Sequence, residues 1–141
     1  MKLSLSTPRG ALVDAEVEEV TAPGEVGEFG VLPGHVPLMA ALRPGVLTYK
    51  AKDHTGVVAV GQGFLQVTPV AAAPGAEARD RVLVVVDQAL MAADVDKATA
   101  DRDLDAVDRE LAGWKQDLDG AYRALLARRQ WAQARVDALA R

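Results

Sequence analysis

The strongest constraint on the fold is an abrupt change in residue types near position 90. Ten of the 12 glycines and all seven prolines lie before that point, whereas the rest of the chain is rich in Ala, Asp, Arg and Leu. Glycine and proline punctuate short strands and turns, and their scarcity favours continuous helix. The sequence therefore predicts two domains, a β domain over residues 1–88 and a helical domain over residues 89–141.

The first domain carries the patterns of short strands separated by turns. Val13, Ala15 and Val17 alternate with acidic residues, so one face of that strand is apolar. Further strands are expected at 46–51, 57–60, 64–67 and 82–86, with a turn at 53–56 and an exposed loop at 71–80. Many short strands with regular turn signals predict an antiparallel β-sandwich, or flattened barrel.

Apolar residues of the second domain recur at helical spacing in two segments. They are Val95, Ala98, Leu104, Val107 and Leu111 in the first, and Leu118, Tyr122, Leu125, Ala132, Val136 and Leu139 in the second. Asp94 is the expected N-cap of the first helix, Gly113 its end, and Asp117 the approximate start of the second. The predicted fold class is α+β, an N-terminal β-sandwich followed by a C-terminal α-helical hairpin. Because much of the seam is alanine, this hairpin should be held weakly and able to detach.

The two predicted helices carry opposite charge. Residues 94–119 contain four Lys or Arg against nine Asp or Glu, and residues 120–141 contain five Arg against one Asp. The arginines of the second helix include Arg123, Arg128, Arg129 and Arg135. They could pair with the acidic first helix or bind an acidic partner, and the residues leave both open.

The residue inventory argues against catalysis. There is no cysteine, the only histidines, His35 and His54, lie in different turns, and the only serines, Ser4 and Ser6, lie near the amino terminus. We therefore predict no catalytic residues, no metal and no cofactor. The net charge of −4 gives no basis for nucleic-acid binding. No apolar run approaches the roughly 20 residues of a membrane span, and no signal peptide is expected.

The most unusual stretch is Gly24–Gly45, which contains two Pro-Gly pairs. Proline stiffens the backbone and glycine permits positive φ, so a rigid, shaped loop presenting Glu28 and His35 is expected. Such a loop can be purely structural or can bind a partner.

This stretch also resembles a known family signature. Gly27–His35 reads GEFGVLPGH, a Pro-Gly turn follows at Pro44-Gly45, and Gly61–Val67 reads GQGFLQV. In this order, ahead of two helices, the motifs resemble the epsilon subunit of bacterial F-type ATP synthases. The resemblance implies a non-catalytic rotor subunit of a proton-translocating synthase, peripheral on the cytoplasmic face of the inner membrane and reaching the membrane only through the complex.

The same resemblance implies partners for each part of the chain. The sandwich would clamp the gamma subunit through an apolar face and sit on the ring of c subunits, with Glu28, Phe29 and His35 at the rotor contact. The helical hairpin would extend to the alpha and beta subunits and restrain ATP hydrolysis. Its basic helix would then use Arg123, Arg128, Arg129 and Arg135.

Some members of this family bind ATP at an Ile/Leu-Asp-x-x-Arg-Ala motif that opens the first helix. Here the corresponding residues are Val95–Ala100, and Thr99 stands where the motif has arginine. Threonine offers no charge to a phosphate, so the resemblance leaves only Asp96 and, about one turn later, Arg102 as nucleotide-binding residues. A stand-alone β-sandwich adaptor and an ATP-sensing regulatory module are the alternative functions.

Overall fold

A computed structural model describes residues 1–70, residue 74 and residues 79–141 of the chain. Ten strands are found within these residues: β1 Lys2–Thr7, β2 Gly10–Glu16, β3 Glu19–Gly24, β4 Gly27–Val31, β5 Leu38–Leu42, β6 Gly45–Lys50, β7 Thr55–Val60, β8 Gly63–Val70, β9 Arg79–Val86 and β10 Ala89–Met91. A 3₁₀ turn, Ala92–Asp94, leads to the helices α1 Lys97–Ala112 and α2 Gly120–Leu139.

The strands form one nearly closed ribbon in the order β10-β7-β6-β3-β5-β8-β9-β1-β2, with β4 paired to β3. β3 and β5 are joined by a single residue pair, Gly24 with Leu42, and the ribbon folds over at this point. One layer is therefore β10-β7-β6-β3-β4 and the other is β5-β8-β9-β1-β2. Among the described strands, the predicted antiparallel pairing has one exception, because β1 and β9 run parallel.

The core lies between the inner faces of the two layers. Leu5 and Val84 from one layer and Leu47 and Val58 from the other are fully buried in the same apolar cluster. Alternate residues of a strand point to opposite faces, so each strand supplies every second side chain to this cluster. The predicted β-sandwich is confirmed, and the β-hairpin predicted around residues 53–56 is β6 and β7.

The prediction of a shaped loop over Gly24–Gly45 is only partly right, because the segment contains two further strands, β4 and β5. Gly27 has a φ of +139°, which lets the chain reverse tightly between β3 and β4. Only residues 32–37 and two short turns remain irregular. The loop predicted at 71–80 lies largely outside the described residues.

The two predicted helices are confirmed, but both begin later than expected. Asp96, rather than Asp94, is the N-cap of α1, since Asp94 lies in the 3₁₀ turn, and Gly113 is the C-cap as predicted. α2 begins at Gly120 instead of near Asp117 because the Asp119 carboxylate accepts hydrogen bonds from the first free amides of the helix, those of Ala121 at 3.0 Å and Tyr122 at 3.3 Å.

Candidate interaction surfaces

The sandwich has two outer faces, and the helical hairpin of α1 and α2 covers only one. Val46 on β6 and Ala59 on β7 point outward, and both are buried against Ala138 of α2. Val57, Ala92 and Trp131 complete this small apolar contact. The contact is narrow, and most of its side chains are small, so α2 rests on the sheet without a core of its own.

The outer face of the other layer carries an apolar patch on β5, β8 and β9, and no described element covers this patch. Met39 and Ala41 on β5 lie in register beside Gln66 and Phe64 on β8. Leu83 and Val85 on β9 continue these two rows. The Met39 side chain is 65 % exposed and that of Phe64 is 37 % exposed. We call Met39, Ala41, Phe64, Leu83 and Val85 the open face.

Glu28, Phe29 and His35 do not form one cluster. Glu28 is exposed near the start of β4, and its carboxylate accepts a hydrogen bond from Arg141 at 3.1 Å. The next residue, Phe29, points to the opposite side of the strand and packs against the core. His35 follows the other end of β4, and its Nδ1 lies 2.7 Å from the Val36 carbonyl oxygen. Glu28 and His35 therefore present polar groups at opposite ends of β4.

Three of the four predicted arginines pair with the acidic helix α1. The ion pairs are Arg128 with Glu110 at 3.8 Å, Arg129 with Asp108 at 2.6 Å and Arg135 with Asp103 at 3.0 Å. Arg123 is exposed and has no ion pair within the described part of the chain. Most of the arginines of α2 are thus paired with carboxylates of α1 within the helical hairpin.

Arg135 is the most enclosed of these side chains. Only 14 % of it is exposed, and its guanidinium carbon lies 5.5 Å from the ring centre of Trp131. Its Nε is buried without a hydrogen-bond partner among the described residues. Arg135 is consequently a packing residue of the docked helical hairpin as well as a charged one.

A polar cleft of about 270 Å³ separates α2 from the sandwich beside the Val46 contact. Its charged and amide lining comprises Glu28, Arg43, Arg129, Gln130, Gln133, Asp137 and Arg141. Arg141 and Glu28 form an ion pair at this cleft, and both side chains are almost half exposed. Exposed ion pairs contribute about 0–1 kcal/mol, so this contact adds little to the docking of α2.

The candidate nucleotide-binding residues, Asp96 and Arg102, both contact the hydroxyl group of Thr99. The Thr99 hydroxyl donates to the Asp96 carboxylate at 2.5 Å and lies 3.4 Å from an Arg102 guanidinium nitrogen. The hydrogen bond from Thr99 is the largest of the effects that lower the pKa of Asp96. The shallow surface around Arg102 is lined mainly by Asp101, Asp105 and Asp108, and their negative charge opposes phosphate binding.

Within the described residues, no group of three or more His, Asp or Glu side chains has the arrangement of a metal site. No helix in that part of the chain is both long and apolar enough to cross a bilayer.

Sequence reasoning did not identify the members of the open face or the role of Arg141. The continuous apolar run Val82–Val86 in β9 was the available signal for the open face, because a strand that is apolar on both faces needs cover on both. No local pattern pointed to the pairing of Arg141 with Glu28, since 113 residues separate them.

Comparison with known proteins agrees with this architecture. Residues 1–73 match the family model of the ATP synthase delta/epsilon chain β-sandwich domain. The ATP synthase epsilon chain of Anoxybacillus flavithermus is 41 % identical over 98 residues, which cover 70 % of this chain and 66 % of that protein. The epsilon chain of Bacillus subtilis is 35 % identical over 97 residues, which cover 69 % and 66 % of the two proteins. These alignments span just under two thirds of each relative's length.

Two solved structures share the fold at low sequence identity. A chain of the Euglena gracilis mitochondrial ATP synthase has a TM-score of 0.74 and 20 % identity, with 97 % of this chain and 79 % of that chain covered. A chain of the Tetrahymena thermophila mitochondrial ATP synthase has a TM-score of 0.61 and 19 % identity, with 98 % and 95 % covered. The match of the sandwich to the family model, which includes more than half of the sequence, establishes that the chain belongs to the ATP synthase delta/epsilon chain family.

Proposed function

We propose that the chain is a non-catalytic central-stalk subunit of an F-type ATP synthase. In this role the sandwich attaches to the gamma subunit and the c-subunit ring, and the helical hairpin restrains ATP hydrolysis when it detaches. The bacterial relatives are named ATP synthase epsilon chains, and the two fold neighbours come from structures described as ATP synthases with their c-ring. The subunit would then be peripheral, held at the membrane by the complex.

The observation that carries the proposal is the open face. Large apolar patches are rare on the surfaces of soluble monomers and are typical of protein interfaces. The opposite outer face is covered by α2, whereas Met39 and Phe64 on the open face are substantially exposed. We assign the open face to the gamma subunit, since a permanent rotor contact requires an apolar interface.

Glu28 and His35 are assigned to the c-subunit ring. Both lie outside the open face, at the two ends of β4, and offer polar groups suited to the polar loops of a membrane protein. Phe29 would support this contact indirectly, because its ring packs against the core and fixes the strand that carries Glu28.

The helical hairpin is assigned the restraint of hydrolysis. Among the described residues, it is docked by the narrow apolar contact around Ala138 and by the exposed ion pair of Arg141 with Glu28. When it undocks, the cleft-facing side of α2 becomes free to bind the alpha and beta subunits. Arg123 would be available at once, whereas Arg128, Arg129 and Arg135 would have to exchange their carboxylate partners on α1 for carboxylates of the catalytic subunits.

The assignment of the open face is tested by binding of the cognate gamma subunit. Met39→Asp places a charge on the open face, and we expect it to weaken binding at least tenfold because an unpaired charge would be buried. Leu118→Asp is the matched control, since Leu118 is 72 % exposed but lies between the two helices. Equal binding of gamma by both variants and the unaltered chain would refute the assignment.

A further inference from the structure

The residues between β4 and β5 begin with a tight turn, Leu32-Pro33-Gly34-His35. The His35 amide donates to the Leu32 carbonyl oxygen at 3.1 Å, which closes the turn. Gly34 has a φ of +84°, and proline precedes it. A positive φ near +80° at the third position, after proline, defines a type II turn.

A type II turn does not use the amide of its third residue internally. Here the Gly34 N–H donates to the carboxylate of Asp80 at 2.5 Å. Asp80 is the second residue of β9, 46 positions away in sequence, and it pairs across the sheet with Pro69. The turn is therefore tied to the end of the β8–β9 hairpin by a charge-assisted hydrogen bond.

This hydrogen bond distinguishes the type II turn from the type I alternative. The two types differ by rotation of the central peptide plane through roughly half a turn, which reverses the direction of its N–H and C=O groups. With the Gly34 N–H directed toward Asp80, the Pro33 carbonyl is directed away from it. In a type I turn, the amide would point away from the carboxylate and this hydrogen bond would be lost.

We propose that Asp80 is a positioning residue that selects the type II form of this turn. It thereby sets how the Pro33 carbonyl and His35 are presented to the c-subunit ring. The assignment of the turn concerns this chain alone, whereas the assignment of the partner rests on the proposed function. Asp80 itself contacts the turn and need not contact the ring.

The turn is tested by amide hydrogen exchange and backbone couplings of Gly34, measured by NMR on the full-length chain. We expect Asp80→Ala to speed Gly34 exchange about tenfold or more and to populate a negative φ. Asp80→Asn retains a side-chain carbonyl acceptor and should restore most of the protection. Asp117→Ala, which removes an exposed carboxylate between the helices, should have no effect. Unchanged Gly34 exchange and φ in Asp80→Ala would overturn the proposal.

The effect of Asp80 on the contact between this turn and the c-subunit ring is tested by binding. The affinity of each variant is measured for the detergent-solubilised c-ring in complex with gamma. We expect Asp80→Ala to weaken binding about fivefold or more and Asp80→Asn to weaken it less, following the order of Gly34 protection. If Asp80→Ala loosens the turn but binds normally, the positioning role is refuted while the rotor function stands. If the unaltered chain fails to bind, the proposed function is refuted, and the NMR result still decides the turn.

Discussion

Replacing Ala59 by leucine should release the helical hairpin from the sandwich without disturbing the sandwich core. Ala59 is fully buried on the outer face of β7, against Ala138 of α2. Its neighbours Val58 and Val60 belong to the inner core cluster, whereas Ala59 does not. The added bulk is therefore directed at the contact between β7 and α2.

The size of the effect follows from the lack of room at this contact. Ala138 is 1 % exposed and Val46 is 6 % exposed, so three extra carbon atoms can be accommodated only if α2 moves. Overpacking of this kind costs about 1–3 kcal/mol. That range corresponds to a shift of about 5- to 150-fold toward the undocked hairpin. Full burial of Val46 contributes about 1.5–3 kcal/mol, so the cost of the substitution is comparable with the contribution of this one side chain to docking.

The assay is hydrogen exchange of the α2 amides, together with the fluorescence of Trp131 in a Trp114→Phe background. We expect faster exchange throughout α2 and red-shifted emission, because Trp131 lies in the contact with the sheet. Ala127→Leu is the matched control, since Ala127 is an exposed alanine of the same helix. If Ala59→Leu lowers only the global stability and leaves α2 protected, the reasoning about this contact is wrong.

Three further outcomes are expected. Glu28→Gln should increase opening of the helical hairpin a few-fold at low salt and have little effect near 1 M salt, because its ion pair with Arg141 is exposed; Glu25→Gln is the control, and an equal effect of both variants would contradict the role of the pair. Thr99→Val should raise the pKa of Asp96 toward its ordinary value of 3.8, measured by carbon NMR, because the Thr99 hydrogen bond lowers it. A lowered folded-state pKa stabilises the fold above the unfolded-state pKa, and this contribution is lost as the pH falls through the folded-state value, so Thr99→Val should lessen the acid sensitivity of α1; an unchanged Asp96 titration would refute this. ATP at millimolar concentration should leave the emission of Trp114 and Trp131 unchanged, because carboxylates surround Arg102; a saturable change that Arg102→Gln abolishes would instead support the ATP-sensing alternative.

The sandwich architecture and about half of its described strands could be predicted because their signals are local. Alternation in residues 13–17 and the turn at 53–56 determine which faces are buried and where the chain reverses. β4 and β5 were missed because they lie among glycines and prolines, where local preference indicates a loop. Their strand conformation depends on pairing with β3 and β8, which no short window contains.

The buried positions of the helices could likewise be predicted only in part from local sequence. Val107, Leu125 and Ala132 were predicted on the apolar seam and are buried, but Leu118 is 72 % exposed and Leu139 is 37 % exposed. Ala134 and Ala138 are also buried. Ala138 contacts the sheet, so α2 packs against α1 on one side and against the sandwich on another. A search for one apolar stripe along the helix cannot predict two buried sides. The partners of the arginines were likewise undetermined, because opposite charges show that pairing is favourable without showing which pairs form.

The most direct test of the central claim is ATP hydrolysis by the cognate alpha, beta and gamma complex with the helical hairpin free or locked. The chain has no cysteine, so Glu28→Cys with Arg141→Cys can be joined selectively by a bis-maleimide at the site of the ion pair. We predict that the chain binds gamma in both states and inhibits hydrolysis only before cross-linking. Equal inhibition by the locked chain would contradict the claim that the helical hairpin must detach to act, and failure to bind gamma would contradict the central-stalk assignment itself.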